Sequence, residues 1–461
     1  YGFSQRHFTA TASRFCPEIA IRKTCGLVRS PVTVDLIRKD VKAFNTPSPC
    51  PPQNETFRQV VSDAYRAFRI APVSPIHLND LPIIGLETSS SSPGLPWKDY
   101  GFSTKGEVLH DRRAFTSIRR FWHRIKEGEH VSPPDCLAYL RSHLVEEGKE
   151  KVRAVWGYPA TIGFQEACFA LPLIQAYKQK GPIAYGYETA RGGCRKLSHR
   201  FSEYRHLLSS DYKSFDKTIP SWLIRIAFDI LCTNVNFLEY QHYGEPNSRK
   251  LHRAWEYIVD YFINTPVRLC NGERYRKRKG VASGSYFTQL VDSIVNWIVT
   301  TYAIRMQGLH VRDILVMGDD SVAATNGRVD MEEFVRYADH CGMVINAEKT
   351  ELHSTINQVK FLGYQINYGV PLKDERDFFA ALRFPERPDR NYTDFASRAL
   401  GLMIANFGIN EEFDTCCRAI CDMEDFKPDF TPSMRRYLAV IGVDTLPSKP
   451  PSRFALGLMR Y

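Results

Sequence analysis

The stretch ILVMGDDSVAA at 314–324 constrains this chain more than any other. Two adjacent aspartates, Asp319 and Asp320, follow Gly318 and lie between two apolar runs. Apolar runs on either side of a Gly-led turn predict a hairpin. Neighbouring residues on a strand point to opposite faces, but a tight turn can present both carboxylates on one side. Nothing in the flanks neutralises them. Such a pair is costly unless it is solvated or meets a hard cation that prefers oxygen ligands. Asp-rich turns are common, so the triplet gains weight only from its company.

A second element is SSDYKSFDKTIPSW at 209–222. Leu207 and Leu208 lead into Asp211, Asp216 follows five residues later, and a helix is expected from about Pro220. A strand-end aspartate facing the Asp319–Asp320 turn would complete a three-carboxylate cup. Two Mg²⁺ ions about 4 Å apart could then hold an attacking hydroxyl and a leaving oxygen in line. Read alone, each aspartate is more readily a cap or turn residue than a metal ligand.

The third element is GVASGSYFTQLVDSIVNW at 280–297. A helix is expected from about Tyr286. Along it Thr288, Asp292 and Asn296 fall at i, i+4 and i+8, one polar stripe on an otherwise apolar helix. Buried polar groups without partners cost about 1–3 kcal/mol each. A sugar hydroxyl is one candidate partner, and ordinary hydrogen bonding across the core is the other.

Taken in order, Asp-x4-Asp, SGxxxTxxx(N/D)S and GDD resemble motifs A, B and C of viral RNA-dependent RNA polymerases. SGSYFTQLVDSIVN beside VMGDDS is most similar to the polymerases of partitiviruses, small double-stranded RNA viruses, with picobirnavirus polymerases next. SSPGLPW (91–97) is similar to motif G, Lys151 and Arg153 in EKVRAVWGYP to motif F, AEKTEL (347–352) to motif D, and KFLGY (360–364) to motif E. The resemblance covers residues 91–364.

The resemblance implies an α+β right-hand polymerase with fingers, palm and thumb, an antiparallel palm sheet and a mostly helical thumb. Residues 1–90 would join fingers to thumb, 91–205 and 241–279 form fingers, 206–240 and 280–368 palm, and 369–461 thumb. It implies RNA-directed RNA synthesis from NTPs with two Mg²⁺, Mn²⁺ being a possible substitute. Asp211, Asp319 and Asp320 would be catalytic metal ligands, and Lys349 would protonate departing pyrophosphate. Lys151, Arg153, Asp216, Ser283, Thr288, Asp292 and Asn296 would meet the nucleotide. Ser92, Pro93, Gly94, Arg276, Lys277 and Gly284 would meet RNA. RNA template and product, NTPs and a viral capsid protein are the implied partners, in a virion interior or host cytoplasm.

One departure matters. Many RNA-virus polymerases carry Asn at the position that resembles Asp292, and two facing carboxylates, Asp216 and Asp292, repel unless one is protonated or turned away. Asn296 or Ser283 is therefore expected to share the sugar contact.

Composition agrees with a folded protein: 43% hydrophobic, 12% aromatic and 24% charged. No apolar run is long enough to span a membrane. The twelve cysteines show no CxxC spacing and read as reduced thiols. The net charge of +10 favours a polyanion. Its expected locations are basic clusters at 112–126, 149–153, 191–206 and 274–279, the first of which also reads as a solvated amphipathic helix. Residues 266–279 read as a hairpin turning at Asn271–Gly272. The Arg-rich stretch 1–34 fits either a targeting segment or a basic arm. Two rivals stand beside the polymerase reading, a reverse transcriptase-like enzyme and a non-catalytic RNA-binding viral protein. Gly318 and Asp216 argue against the first, because reverse transcriptases usually carry other residues at both positions.

Overall fold

A computed structural model of the chain describes residues 12–242 and 244–461. Arg6 and the start of the basic arm lie outside the described residues. At the centre is a four-stranded antiparallel sheet, in the order Glu351–His353, Leu207–Ser209, Asp320–Thr325, Val311–Met317. Strand alternation divides its apolar residues between two layers. Leu208, Ile314, Val316 and Ala323 join the large core that includes the helix Thr288–Arg305, which is apolar almost all round. Leu207, Leu315, Val322 and Ala324 pack on the opposite side with Leu197, Phe201, Ile356 and Phe361.

The expected hairpin is present. Met317 faces Asp320 across the ladder, so Gly318 and Asp319 form a two-residue loop. Gly318 has φ +60°, a conformation that side chains disfavour and tight hairpin turns require.

A second sheet is mixed, in the order Val152–Gly157, Cys136–Ser142, Pro266–Arg268, Arg274–Arg276, its middle pair parallel. Its last two strands are the hairpin read at 266–279. Cys136 thus pairs with Val267, which places a later insertion beside an earlier segment.

The N-terminal segment spans the molecule. Leu27–Arg29 pairs with Leu144–Glu146. The Arg29 guanidinium donates to the carbonyls of Ser142 (2.8 Å) and Phe384 (2.6 Å). Lys23 pairs with Glu375 and Glu412. The C-terminal region is helical, with Tyr392–Asn406 burying Phe395, Ala399, Leu402 and Met403 as their spacing predicts. Phe15, Ile19 and Ala20 complete that core. All twelve cysteines are free. Among the described residues no helix is long and apolar enough to cross a membrane.

Candidate active site

Asp211 lies just beyond the Leu207–Ser209 strand, its backbone fixed from the neighbouring segment. Its N–H donates to Thr350 Oγ1 (3.1 Å) and its carbonyl accepts from Asn346 N–H (2.7 Å). Asp216 follows Ser214, whose φ of +52° turns the chain sharply into a short helix. The Asp216 carbonyl accepts from Val281 N–H (2.7 Å). Gly280 is required at that approach, because a Cβ would lie 2.5 Å from the same carbonyl.

The carboxylates act on one another. Burial, then Asp216 and Asp211, raise the pKa of Asp319, while Arg153 opposes them. Burial, then Asp319, push Asp320 up to about 7, with Asp211 adding to the rise. Water reaches both side chains, yet the walls of the cleft remove most of the solvent that would stabilise their charge. The three proposed ligands are near one another but not drawn into a cage. Among the described residues no group of three His, Cys, Asp or Glu side chains is close enough to hold a metal ion.

Basic residues lie near the carboxylates. Arg153 is exposed on the strand Val152–Gly157, which alternates buried and outward positions. Burial lowers the pKa of Lys151, and Arg153, Lys349 and Lys217 add to the effect, so these four cations share a neighbourhood. Lys349 is exposed in a turn that begins after Asn346.

The polar stripe has three separate fates. Thr288 Oγ1 donates to the Ala282 carbonyl (2.7 Å) and closes the preceding loop. Asp292 is buried beside the Asp216 carboxyl, as the sequence spacing implied. Burial first, then Asp216, hold the Asp292 pKa well above the carboxylate range. Asp292 Oδ1 is buried without a hydrogen-bond partner among the described residues.

Asn296 corrects the sequence reading. It is fully buried, and its amide nitrogen donates to the carbonyls of Gly318 and Asp320, each at 3.0 Å. Its oxygen accepts from Tyr212 Oη and Thr300 Oγ1, also at 3.0 Å. With both ends engaged, Asn296 holds the aspartate turn and has no capacity left for a sugar. Asn296→Ala is expected to cost about 1–3 kcal/mol through the partners it strands. Urea unfolding measures that loss, while any preference for ribonucleotides over deoxyribonucleotides remains unchanged. Ser283, by contrast, is exposed, and its Oγ accepts from Trp156 N–H (3.2 Å).

The expected RNA contacts also divide. Lys277 is buried, not RNA-facing. Its Nζ donates to the carbonyls of Phe262, Ile263 (3.1 Å) and Gly280 (2.9 Å), and burial depresses its pKa to about 7. Because the unfolded chain then binds the proton more tightly, this residue makes stability rise between about pH 7 and the ordinary lysine value near 10.4. Lys277→Met should abolish that rise in urea titrations and leave RNA affinity intact. Pro93 and Gly94 are buried as well. The Pro93 carbonyl accepts from Ala160 N–H (2.7 Å), and a Cβ on Gly94 would meet the Tyr158 carbonyl at 2.6 Å. Gly284 is needed for a similar approach, because a Cβ there would lie 2.0 Å from the Trp156 carbonyl. Ser92 is half-buried against the Tyr139 hydroxyl, and Arg276 is exposed.

The 191–206 cluster is largely committed within the protein. Arg200 forms a bidentate pair with Asp313 (2.6 and 2.7 Å), Arg191 pairs with Asp444, and Lys196 donates to the Gly186 carbonyl.

Two acids escaped the sequence reading. Asp40, on the helix Val34–Lys42, is buried. One of its oxygens accepts from Ala154 N–H (2.8 Å) in the Arg153 strand, and the other pairs with Lys217, next to Asp216. No local pattern marks it. Glu166 is fully buried and accepts from Ser285 Oγ (2.6 Å) and Tyr286 N–H (3.3 Å), anchoring the loop before Thr288; burial pushes its pKa up to about 8. A lone charge inside GFQEACFALPL was its signal.

With this geometry the comparisons become informative. The family model described as viral RNA-dependent RNA polymerase matches residues 11–406. The RNA-directed RNA polymerase of White clover cryptic virus 1 is 24% identical over 335 residues, covering 63% of this chain and 54% of that protein. That of Atkinsonella hypoxylon virus is 27% identical over 327 residues, covering 61% and 49%. The chain spans about half the length of these relatives. The crystal structure of a human picobirnavirus RNA-dependent RNA polymerase superposes with a TM-score of 0.67 at 15% identity. That superposition covers 88% of this chain and 77% of the picobirnavirus chain, which establishes the right-hand fold. With the family model matching well over half its length, the chain belongs to the viral RNA-dependent RNA polymerase family.

Proposed function

We propose that this chain copies viral RNA, for replication and transcription, by transferring nucleotides from NTPs to a growing 3′-OH with release of pyrophosphate. The observation that carries the reading is the mutual approach of Asp211, Asp216, Asp319 and Asp320 opposite a wall of Lys151, Arg153 and Lys349. An all-oxygen carboxylate set suits Mg²⁺ or Mn²⁺. Asp211 and Asp319 would be the principal ligands and Asp320 an auxiliary one; two bound ions would supply charge stabilisation at the attacking and leaving oxygens.

The protein's own work is positional. Arg153 and Lys151 would neutralise the triphosphate's charge, the guanidinium able to engage two oxygens at once. Lys349, in the same neighbourhood, would give a proton to pyrophosphate. Ser283 and the Asp216–Asp292 pair would meet the ribose. Residues 91–205 and 241–279 serve as fingers, 206–240 and 280–368 as palm, 369–461 as thumb, and 1–90 as their tie. A capsid protein is the natural partner, and a virion interior or host cytoplasm the natural location, for an enzyme of double-stranded RNA viruses.

Incubation with single-stranded RNA, Mg²⁺ and labelled nucleotides, with and without primer, tests the reading. NTPs should be incorporated and dNTPs should not. Equal use of dNTPs would favour a reverse transcriptase-like enzyme, and no incorporation of either would favour a non-catalytic RNA-binding role.

A further inference from the structure

The loop 280–286, which carries Ser283, is fastened along its first half by partners on the main chain. Gly280 N–H donates to the Ile219 carbonyl (2.8 Å) and Val281 N–H to that of Asp216 (2.7 Å). Ser283 Oγ then accepts from Trp156 N–H (3.2 Å), on the same strand as Arg153. That bond ties the residue proposed for the ribose to the strand proposed for the triphosphate.

The second half of the loop depends on one buried acid. Glu166 lies on the helix Ala160–Gln179, which starts just after the Trp156 strand ends. Ser285 Oγ donates to its Oε2 (2.6 Å) and Tyr286 N–H to its Oε1 (3.3 Å), so one carboxyl grips two consecutive residues. Ser285 Oγ accepts in turn from Phe287 N–H (3.1 Å), which carries the grip to the start of the helix Thr288–Arg305. Thr88 also bonds this half, but only at the far end of the Tyr286 ring, its Oγ1 2.5 Å from Oη. Among the described cations Lys105 acts on Glu166, its ammonium over the Tyr286 ring at 5.1 Å from the centroid. Burial outweighs both hydrogen bonds and Lys105 and keeps the carboxyl's pKa high. A buried carboxyl held mainly by neutral donors weighs against folding. Beneath a loop of the site, such a group points to a positional use.

We propose that Glu166 is a positioning residue for ribose selection: by fixing Ser285 and Tyr286 it holds Ser283 in register with the Arg153 strand. Only Gly284 separates Ser283 from the grip, and it lies so close to the Trp156 carbonyl that no side chain fits there. Removing both Glu166 bonds frees the half of the loop that follows Ser283, and Ser283 drifts from Trp156 N–H. Glu166 touches no reacting atom and acts through Ser283. The inference rests on the polymerase reading, which supplies the ribose.

The test uses the whole chain. Hydrogen exchange without NTPs or metal reads the loop itself. In Glu166→Ala the Trp156 and Tyr286 amides should exchange roughly ten-fold faster than in the wild type. Glu166→Gln should restore most of the protection, because its amide oxygen still accepts from Tyr286 N–H and its nitrogen can donate to Ser285 Oγ. On a primed template, kcat/KM for an NTP relative to the matching dNTP should fall about ten-fold in Glu166→Ala, the worth of one hydrogen bond. Ser283→Ala should lose a similar factor, and the double variant no more than either single one, because both act through one contact. Leu173→Ala, a core change on the same helix, should lower stability and leave both readouts at wild-type values. Unchanged exchange at Trp156 in Glu166→Ala overturns the proposal, as does an unchanged ratio in either single variant of an active enzyme. Losses that multiply in the double variant, or an equal loss in Leu173→Ala, overturn it as well. A wild-type chain that incorporates no nucleotide, while exchange responds to Glu166→Ala as expected, leaves the anchor on Ser283 standing and sinks the polymerase reading.

Discussion

Asp319→Ala is expected to eliminate nucleotide addition, by on the order of 10³-fold or more, while the protein becomes no less stable. Both halves follow from one piece of geometry. Asp319 sits at the tip of a two-residue loop where burial, Asp216 and Asp211 all disfavour its charge. Removing it relieves repulsion that the folded state sustains, so the thermal midpoint should stay level or rise. Sites that carry strain for function commonly trade stability in this direction. The catalytic loss arises because positioning and charge stabilisation make up nearly all the protein's contribution to phosphoryl chemistry. Single-turnover extension of a primed template, with calorimetry on the same preparation, measures both. A variant that lost activity and melted well below the wild type would show that Asp319 serves the fold instead.

The largest effect on stability is expected at Asp40, far from the cup in sequence. Its carboxylate joins the Arg153 strand to Lys217, the neighbour of Asp216, so it fixes the basic wall relative to the acidic one. Asp40→Ala leaves Lys217 largely buried without its counter-charge and strands the Ala154 N–H. Breaking a buried pair from one side costs about 3–5 kcal/mol. Because Lys217 keeps partial contact with water, the lower end of that range is expected. Urea denaturation gives the number. Lys217→Met in the same background should recover part of the loss, since it removes the unpaired charge. If the double variant were less stable than Asp40→Ala by the full cost of Lys217→Met alone, the two side chains would be independent and the coupling refuted.

What the sequence revealed depended on how local the determinant was. The Gly318–Asp320 hairpin, the Thr288 helix and the buried face of 392–406 were legible because their signals are short-range: turn chemistry, strand alternation and helical spacing. The choice among polar residues on one stripe was not. Thr288, Asp292 and Asn296 share a helix face, yet one closes a loop, one meets Asp216 and one clasps the Gly318 turn. Only the partners decide, and they come from segments far along the chain. The basic run 274–279 misled for the same reason. Periodicity does not show that Lys277 turns inward onto the end of the helix Ser248–Ile263. Pro93 and Gly94 look like loop surface until the Tyr158–Ala160 backbone is seen against them. Asp40 had no signal, because its two partners lie in different segments and neither is near it in sequence.

The central claim, that this cleft performs template-directed RNA synthesis, is tested most directly by withholding one NTP at a time. On a primed RNA of known sequence with Mg²⁺, the product should stop one position before the first template base that calls for the missing nucleotide. Restoring that nucleotide should extend it to the template end. Products that ignore the omitted nucleotide, or stop at the same place whichever one is withheld, would contradict the account.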